Sequence, residues 1–336
     1  MKELVVISGK GGTGKTSIVA SLAALAKKAV LADCDVDAAD LHLVLQPQVI
    51  ERHDFFSGIE AVIRQDSCIA CGRCLDYCQF GAVARRLADD RQAGALGTDS
   101  ACRDCDFCVR SCSVRANFEI QAMMAAAGHT PEPIYEIDPI ACEGCGVCAW
   151  FCSAKAIELR PRLCGEWMIS STRHGPMVHA KLGIAAENSG KLVSTVRTQA
   201  RGLAEQRGLE MVIIDGSPGI GCPVIASITG ASLVLIVTEP TLSGQHDMER
   251  VAELTRHFDI PAMVCVNKWD LNPQIADEIE AFAAKRGIQV VGRVRYDPGV
   301  TRAQIQRKSV VECGESGCTD DIWDVWVTVQ TAIEAE

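Results

Sequence analysis

The fold is decided by residues 8–16, SGKGGTGKT, which follow the apolar run LVVI at residues 4–7. A run of mostly β-branched apolar residues predicts a buried strand. Residues 17–28, SIVASLAALAKK, predict a helix with two lysines in its last turn. Strand, glycine-rich loop and helix in this order are typical of a P-loop, whose backbone N–H groups surround the phosphates of a nucleotide. The chain is therefore predicted to bind a nucleotide.

Each residue type in this loop has a predicted role. The glycines let the backbone approach the phosphates closely, and Lys15 reaches the β- and γ-phosphates. The hydroxyl of Thr16 is predicted to ligate Mg²⁺. The predicted nucleotide contacts in the loop are Gly9, Lys10, Gly11, Gly12, Thr13, Gly14, Lys15, Thr16 and Ser17.

Strands and helices alternate again only after about residue 163. The predicted strands are the short apolar runs at residues 29–33, 211–216, 232–239, 261–267 and 289–294. Helices are predicted between them, among others at residues 243–258 and 272–286. Continuous apolar strands that alternate with helices form a parallel sheet covered on both faces. We predict one doubly wound α/β P-loop NTPase domain made of residues 1–55 and 163–336, which residues 56–162 interrupt.

Three copies of one cysteine pattern lie in the interrupting segment. They are CIACGRCLDYC at residues 68–78, CRDCDFCVRSC at 102–112 and CEGCGVCAWFC at 142–152. Each reads C-x2-C-x2-C-x3-C, the spacing with which bacterial ferredoxins bind a 4Fe–4S cube. The candidate ligands are Cys68, Cys71, Cys74, Cys78, Cys102, Cys105, Cys108, Cys112, Cys142, Cys145, Cys148 and Cys152.

The two outer copies, with their flanking strands, resemble the pseudo-symmetric two-cluster ferredoxin, an α+β fold. That resemblance implies that three cysteines of one copy share a cluster with the fourth cysteine of the other. The implied ligand sets are Cys68, Cys71, Cys74 and Cys152 for one cluster, and Cys142, Cys145, Cys148 and Cys78 for the second. This pairing fails if the middle copy takes part in it. The middle copy holds a third cluster, binds zinc or carries free thiols. Zinc is also an alternative at the outer copies, although its cysteines usually form separated C-x-x-C pairs.

Composition limits the compartment and the partners. The net charge of −10 makes nucleic acid an unfavourable partner, because an acidic chain gains nothing from a phosphate backbone. The 18 cysteines are regularly spaced in a long chain, which indicates thiolate ligands in a reducing compartment. The N-terminal residues run straight into the P-loop, and no apolar run approaches the ~18 residues of a membrane span. We therefore predict a cytoplasmic protein without a stable membrane anchor.

The additional lysine of the loop, Lys10, makes the motif more specific. With it, the loop resembles the deviant Walker A motif of the MinD/ParA superfamily of ATPases, which includes the nitrogenase iron protein and the Mrp-type cluster carriers. In that group the first lysine reaches the partner's phosphates across a nucleotide-sandwiched dimer. The resemblance implies this role for Lys10, and a homodimer or a heterodimer with a similar ATPase. Residues 172–197, 215–231, 237–251 and 266–272 are similar to the MinD-superfamily ATPases that carry an inserted ferredoxin domain with two clusters.

The same resemblance implies roles for residues that follow three strands. Residues 33–41, DCDVDAADL, are similar to switch I, in which Asp35 would orient the attacking water and Asp33 would lie near the metal. Residues 212–219, VIIDGSPG, are similar to Walker B and switch II, in which Asp215 would hold Mg²⁺ through water. Lys10, Lys15 and Asp35 are thus the predicted catalytic residues.

The motif NKWD at residues 267–270 bears on the choice of base. By the resemblance, Asn267 would read the base of ATP. N-K-x-D is also the guanine-reading tetrad of GTPases, with Asp270 as its acid, so GTP is an alternative. Because the rest of the group uses ATP, ATP is the predicted nucleotide.

The remaining cysteines and the C-terminal residues have simpler predictions. Cys34, Cys222 and Cys265 are expected as small buried side chains in or beside core strands. Cys313 and Cys318 lie close together in a predicted polar loop. Residues 322–333 predict a helix with an apolar stripe and no lysine or arginine. It is therefore expected to dock on its own domain rather than on a membrane.

Three functions are compatible with these features. The first is an ATP-gated electron carrier that serves a redox or iron–sulfur partner protein. The second is an ATP-dependent iron–sulfur cluster carrier, and the third is a regulatory ATPase whose clusters sense redox state. Full cysteine quartets indicate clusters that stay in place, so the electron carrier is preferred.

Overall fold

The computed structural model describes residues 1–87, 133–183, 188–314 and 317–335. The middle cysteine copy, with Cys102, Cys105, Cys108 and Cys112, lies outside these ranges. The chain divides into two compact units. Met1–Ser57 and Leu163–Glu336 form the first, called here the nucleotide unit, and Gly58–Arg162 form the second, called the cysteine unit.

A largely parallel sheet forms the framework of the nucleotide unit. The strands of the two units, in chain order, are β1 Lys2–Ile7, β2 Ala29–Asp33, β3 Gln48–Ile63, β4 Val83–Leu87, β5 Pro133–Ile137, β6 Ile157–Thr172, β7 Gly175–Leu182, β8 Met211–Asp215, β9 Leu233–Thr238, β10 Ala262–Asn267 and β11 Gln289–Val294. Strands β4 and β5 form a separate antiparallel sheet in the cysteine unit. The order of the large sheet is β11-β10-β9-β1-β8-β2-β7-β6-β3. Neighbouring strands from β11 through β7 run parallel, and β6 is antiparallel to β7.

Helices of the nucleotide unit cover both faces of this sheet. They are α1 Lys15–Leu25, α2 Leu41–Leu45, α5 Ser189–Arg207, α6 Cys222–Ile228, α7 Leu242–His257, α8 Pro273–Lys285, α9 Pro298–Ile305, α10 Val310–Cys313 and α11 Cys318–Ala335. The helices α3 Arg73–Tyr77 and α4 Val147–Trp150 belong to the cysteine unit. Alternate residues of β1 enter two different cores, because successive side chains of a strand point to opposite faces. Val5 and Ile7 pack with α5 to α8, whereas Leu4 and Val6 pack with α1, α2 and α9 to α11. This arrangement confirms the predicted α/β class.

The two terminal helices differ from their predicted bounds. Helix α1 ends at Leu25, so Lys27 and Lys28 lie beyond it, and the prediction that they occupy its last turn is wrong. The chain must leave the helix early, since β2 begins at Ala29. Helix α11 begins at Cys318, before the predicted start at residue 322, and it has two aspartates in its first turn. Acidic side chains there are favoured by the helix dipole.

Helix α11 docks on the nucleotide unit, as predicted. Its buried side chains include Ile322, Trp326, Val329 and Ile333, and the helix packs against β11. The residues on its solvent side include Trp323, which is about half exposed. Within the described ranges, no helix is both long and apolar enough to cross a membrane.

The cysteines of the nucleotide unit follow the predictions only in part. Cys34 and Cys265 are fully buried, as expected. Cys222 is exposed, contrary to the prediction, because it occupies the first turn of α6 beside a glycine-rich loop. Cys318 is fully buried at the start of α11, and Cys313 is half-buried against the same core. The prediction that Cys313 and Cys318 lie in a polar loop is therefore wrong.

Candidate nucleotide site and cysteine cavities

A cavity of about 580 Å³ is lined by the P-loop and by residues at the ends of β2, β10 and β11. Ligands of open parallel sheets bind at the carboxyl ends of the strands, and this size suits a small-molecule site. Of the predicted nucleotide residues, its walls contain Gly11, Gly12, Thr13, Gly14, Lys15, Thr16, Ser17, Asp35 and Asn267. Gly9, Lys10, Asp33, Asp215 and Asp270 are not among the lining residues.

The backbone of the P-loop requires glycine at position 14. Gly14 has φ of 89°, in the left-handed region that side chains disfavour, and it precedes α1. A Cβ atom there would lie 2.4 Å from Nδ2 of Asn267. That same amide nitrogen donates a hydrogen bond of 2.7 Å to the carbonyl oxygen of Thr13. The end of β10 is thus fastened to the phosphate loop.

Lys15 is bound to two of the predicted carboxylates. Its Nζ donates to Oδ1 of Asp215 and lies 3.3 Å from Oδ2 of Asp35, and all three side chains are nearly buried. Burial opposes the charge of Lys15, but Asp215 and Asp35 together raise its pKa. Lys15 therefore neutralises part of the charge of this acidic group.

Asp33 and Asp215 are paired across β2 and β8 in the sheet register. Each has one buried oxygen, Oδ2, without a hydrogen-bond partner. Burial, and then the charge of Asp215, raises the pKa of Asp33 well above its usual range. Burial is also the main cause that raises the pKa of Asp35. Buried carboxylate oxygens without donors suit a hard cation such as Mg²⁺, which prefers oxygen ligands and water.

Lys10 contacts residues of its own chain. Its Nζ lies 2.8 Å from Oε1 of Glu239 and donates to Oγ of Ser243 at 2.9 Å. Lys268 lies 3.4 Å from the other oxygen of Glu239 and donates to the carbonyl of Gly12 at 2.9 Å. Burial opposes ionisation of Glu239, but the hydrogen bond from Lys10 and the charge of Lys268 lower its pKa. We call Lys10, Glu239, Ser243 and Lys268 the lysine clamp.

The sequence analysis did not identify the other members of the lysine clamp. Glu239 directly follows β9, at the same edge of the sheet as the P-loop. A polar residue after a buried parallel strand is a signal that could have marked it as a site residue. Its ion pairs with Lys10 and Lys268 join residues that are far apart in sequence, so the local sequence does not reveal them.

Hydrogen bonds connect the two predicted switch segments to each other and to the P-loop. Oγ of Ser217 donates to the carbonyl of Cys34 at 2.7 Å. The N–H of Gly219 donates to the carbonyl of Ser8 at 2.9 Å. These two bonds attach residues 217–219 to the segment after β2 and to the P-loop.

The cysteine unit contains two small cavities, each lined by four cysteines. Those of the first are Cys68, Cys71, Cys74 and Cys152. Those of the second are Cys78, Cys142, Cys145 and Cys148. Each cavity therefore combines three cysteines of one copy with the fourth of the other. Within the described residues, no group of three or more His, Cys, Asp or Glu side chains is arranged to hold a metal ion.

The backbone repeats itself around the two cavities. Gly72 and Gly146, each before the third cysteine of its copy, have φ of 76° and 75° and precede α3 and α4. The aromatic residues before the two fourth cysteines, Tyr77 and Phe151, stack with ring centroids 4.1 Å apart. The outer copies thus form a pseudo-symmetric pair around an aromatic contact.

Comparison with known proteins places the chain in a family. Residues 4–310 match the CobQ/CobB/MinD/ParA nucleotide binding domain. The uncharacterized protein MJ0578 of Methanocaldococcus jannaschii is 30% identical over 278 residues, which cover 80% of this chain and 79% of that protein.

Solved structures share the fold at low sequence identity. The cell division ATPase MinD of Pyrococcus furiosus has a TM-score of 0.51 at 14% identity, with 98% of each chain covered. The septum site-determining protein MinD of Pyrococcus horikoshii OT3, complexed with Mg-ADP, has a TM-score of 0.50 at 14% identity, with 98% of this chain and 95% of that chain covered. The chain therefore belongs to the CobQ/CobB/MinD/ParA nucleotide-binding family, and it is a P-loop ATPase of the MinD/ParA type.

Proposed function

We propose that this ATPase couples ATP binding and hydrolysis to electron transfer through two 4Fe–4S clusters to a redox or iron–sulfur partner protein. The observation that carries the proposal is the lining of the two cysteine cavities, in which the outer copies exchange their fourth cysteines. The sequence resemblance implied the same two ligand sets. A set of four thiolates favours iron–sulfur clusters or zinc over hard cations.

The arrangement of the thiols favours a cluster over a zinc ion. Structural zinc usually takes its cysteines from separated C-x-x-C pairs, whereas each outer copy has the C-x2-C-x2-C-x3-C spacing of 4Fe–4S sites. The four irons of a cube each take one thiolate, so the cysteines belong on the wall of a cavity. Apolar side chains complete the walls, with Ile63 and Ile157 in the first cavity and Val83 and Ile137 in the second. A bound cluster would supply one-electron redox chemistry there.

The nucleotide unit supplies residues for Mg²⁺-dependent hydrolysis of ATP. Lys15 would exchange its carboxylate partners for the β- and γ-phosphates, to which it can also donate charge-assisted hydrogen bonds. Thr16 and Asp215 would then hold Mg²⁺, to which the unpartnered oxygen of Asp215 is suited. Asp35, released from Lys15, would be free to orient the attacking water.

We expect a homodimer, or a heterodimer with a similar ATPase, and we expect the lysine clamp to restrain its formation. By the family resemblance, Lys10 acts on the phosphates of a partner subunit. In this structure Glu239 and Ser243 hold Lys10 on its own chain. Dimer formation must therefore break these contacts, which makes Glu239 a restraint on assembly.

Replacing Glu239 with glutamine is expected to strengthen ATP-dependent dimer formation by up to about fivefold, because a partly exposed ion pair contributes about 0.2–1 kcal/mol. Sedimentation velocity with a non-hydrolysable ATP analogue measures the dimer dissociation constant. The matched control is Glu253→Gln. Glu253 lies on helix α7, outside the lysine clamp, and pairs with Arg286, so this change should leave the dimer dissociation constant unchanged. A weaker dimer for Glu239→Gln would contradict the proposed restraint.

The proposed coupling is tested by an anaerobic potentiometric EPR titration of the iron-replete protein, with and without Mg-ATP. We expect the nucleotide to shift at least one midpoint potential, and a shift of ~59 mV in a one-electron couple means tenfold coupling. Iron analysis should give about four irons for each occupied cavity. Superimposable titration curves would reject coupling through the potential. Zinc in place of iron would reject the clusters themselves.

The alternative of a cluster carrier receives less support. Mrp-type carriers resemble this chain and use a C-terminal C-x-x-C pair to hold a labile cluster. The comparable residues here are Cys313 and Cys318, and Cys318 is fully buried in the core beneath α11. A thiol in that position is not available to a cluster at a subunit surface.

A further inference from the structure

We infer that Tyr296 is the stacking platform for the base of the nucleotide, and that Asp270 positions this platform instead of reading guanine. The inference deepens the proposed ATPase function, because it concerns the base end of the same cavity. Tyr296 directly follows Arg295, the first residue after β11, and lines the nucleotide cavity. Half of its surface is exposed, as a ring that receives a planar ligand must be.

Asp270 is committed to the backbone of Tyr296. Its Oδ1 accepts the N–H of Tyr296 at 2.6 Å. Asp270 is not among the residues that line the cavity, whereas Asn267 and Lys268 of the same N-K-x-D motif are. Asp270, which would accept hydrogen bonds from guanine in a GTPase, therefore binds the backbone of a residue that lines the cavity instead of lining it itself.

The residues on both sides of Tyr296 are fixed as well. Asp321 of α11 accepts the backbone N–H of Arg295 at 3.0 Å and binds its guanidinium group through two hydrogen bonds of 2.7 and 2.8 Å. Oδ1 of Asp297 accepts the N–H of Gly299 at the start of α9, at 2.7 Å. Three consecutive residues are thus anchored separately. Because the ring is ordered before the nucleotide binds, binding does not incur the entropic cost of ordering Tyr296.

Asn267 keeps an acceptor for the amino group of adenine. Its Nδ2 donates to the carbonyl of Thr13, and the flipped amide would place two acceptor oxygens against each other. The side-chain oxygen and the second N–H of the amide are therefore left for the base, and the oxygen can accept a hydrogen bond from the amino group of adenine. What disfavours guanine is Asp270, whose Oδ1 is bound to the backbone of Tyr296.

The test compares ligands with and without a base. Isothermal titration calorimetry would measure the binding of Mg-ATP, Mg-GTP and Mg-tripolyphosphate to the full-length protein and to Tyr296→Ala and Tyr296→Phe. Since loss of one base–aromatic stack costs ~1–3 kcal/mol, we expect Tyr296→Ala to bind ATP about 5- to 150-fold more weakly. Binding of tripolyphosphate should not change, and Tyr296→Phe should bind ATP like the unmodified protein.

Asp270 is tested through its effect on Tyr296. Asp270→Ala should weaken the binding of ATP but not of tripolyphosphate, and it should add nothing in a Tyr296→Ala background, because the two residues act as one unit. Asp270→Asn keeps an acceptor oxygen and should restore most of the affinity.

Several results would overturn the inference. They are an unchanged affinity of Tyr296→Ala for ATP, an equal loss for ATP and tripolyphosphate, and a selective loss of GTP binding in Asp270→Ala. If the unmodified protein bound tripolyphosphate but neither ATP nor GTP, the base site would be refuted while the P-loop stood. If the unmodified protein bound none of the three ligands, the nucleotide function itself would be refuted.

Discussion

Replacing Lys15 with alanine will destabilise the nucleotide-free protein and will also abolish its response to ATP. The second effect follows from the loss of the group that reaches the β- and γ-phosphates. The first follows from the structure, in which Lys15 is the cation bound to Asp35 and Asp215, beside Asp33. Removal of one partner from a buried ion pair costs about 3–5 kcal/mol, because the other charge stays buried without compensation.

The cost of this substitution should depend on pH. Burial raises the pKa of Asp33 and of Asp35 in the folded protein, so these groups hold protons that the unfolded chain releases near its ordinary pKa of about 4. Their contribution to stability is fully present below that value and is lost as the pH rises through the raised folded values. Lys15 limits the loss by stabilising the ionised forms. Without it, the deficit should be larger at pH 7.5 than at pH 5.5.

Hydrogen exchange provides a measurement confined to the nucleotide unit. The protection of β1 and β8 amides reports the free energy of opening that sheet, even if the cysteine unit unfolds separately. Arg286→Ala is the matched control, since Arg286 also pairs with a carboxylate, that of Glu253, but is partly exposed and does not line the nucleotide cavity. We expect this control to lose less than about 1 kcal/mol and to keep its ATP-induced protection. Equal protection of Lys15→Ala and the unmodified protein at pH 7.5 would contradict the prediction.

The sheet and the P-loop could be predicted because their signals are local. Strands β1, β8, β9 and β10 are short runs of apolar residues, which identify a strand that is buried on both faces. The glycines and lysines of residues 8–16 lie together in sequence as they do in space. Neither inference needed knowledge of a distant contact.

The other edge of the sheet could not be predicted in the same way. The first seven residues of β3 are all exposed and include the charged stretch ERHD at residues 51–54, so the strand shows neither an apolar run nor alternation there. Charged residues on an edge strand prevent pairing with another chain, and they also conceal the strand from pattern analysis. The hairpin of β6 and β7 turns at Arg173 and His174, which carry no standard turn signal.

Side-chain partners were the least predictable part of the site. Asp270 belongs to a familiar motif, and only the position of Tyr296, 26 residues later, shows which group it binds. Cys222 stands in the apolar stretch CPVIASI, yet it is exposed because the first turn of α6 projects from the core. In both cases the local sequence is compatible with more than one environment, and tertiary packing decides between them.

Exchanging single cysteines for serine will show that the fourth cysteine of each outer copy serves the cluster of the other. Cys78 follows Cys68, Cys71 and Cys74 in sequence but lines the cavity of the second copy. Cys78→Ser is therefore expected to perturb the same cluster as Cys142→Ser, and Cys152→Ser the same cluster as Cys68→Ser. Loss of one ligand from a site of four should release that cluster, which removes about four irons.

Double variants distinguish this arrangement from ligation within each copy. Cys78→Ser with Cys142→Ser should lose about four irons, no more than either single variant, because both residues serve one cluster. Cys78→Ser with Cys68→Ser should lose about eight, because each residue serves a different cluster. Ligation within each copy predicts the reverse. Anaerobic iron and sulfide analysis reads the count, and EPR spectra of the reduced single variants identify which signal is lost.

Cys164→Ser provides the control for general effects of losing a thiol. Cys164 lies in the nucleotide unit, where its buried Sγ donates to the carbonyl of Ser57 at 3.1 Å. A serine hydroxyl can make the same hydrogen bond, so the iron content should not change. If Cys78→Ser instead behaved like Cys68→Ser in both single and double variants, each copy would bind its own cluster. The two mixed cavities would then have no bearing on ligation, and the main support for the proposed electron-transfer function would be lost.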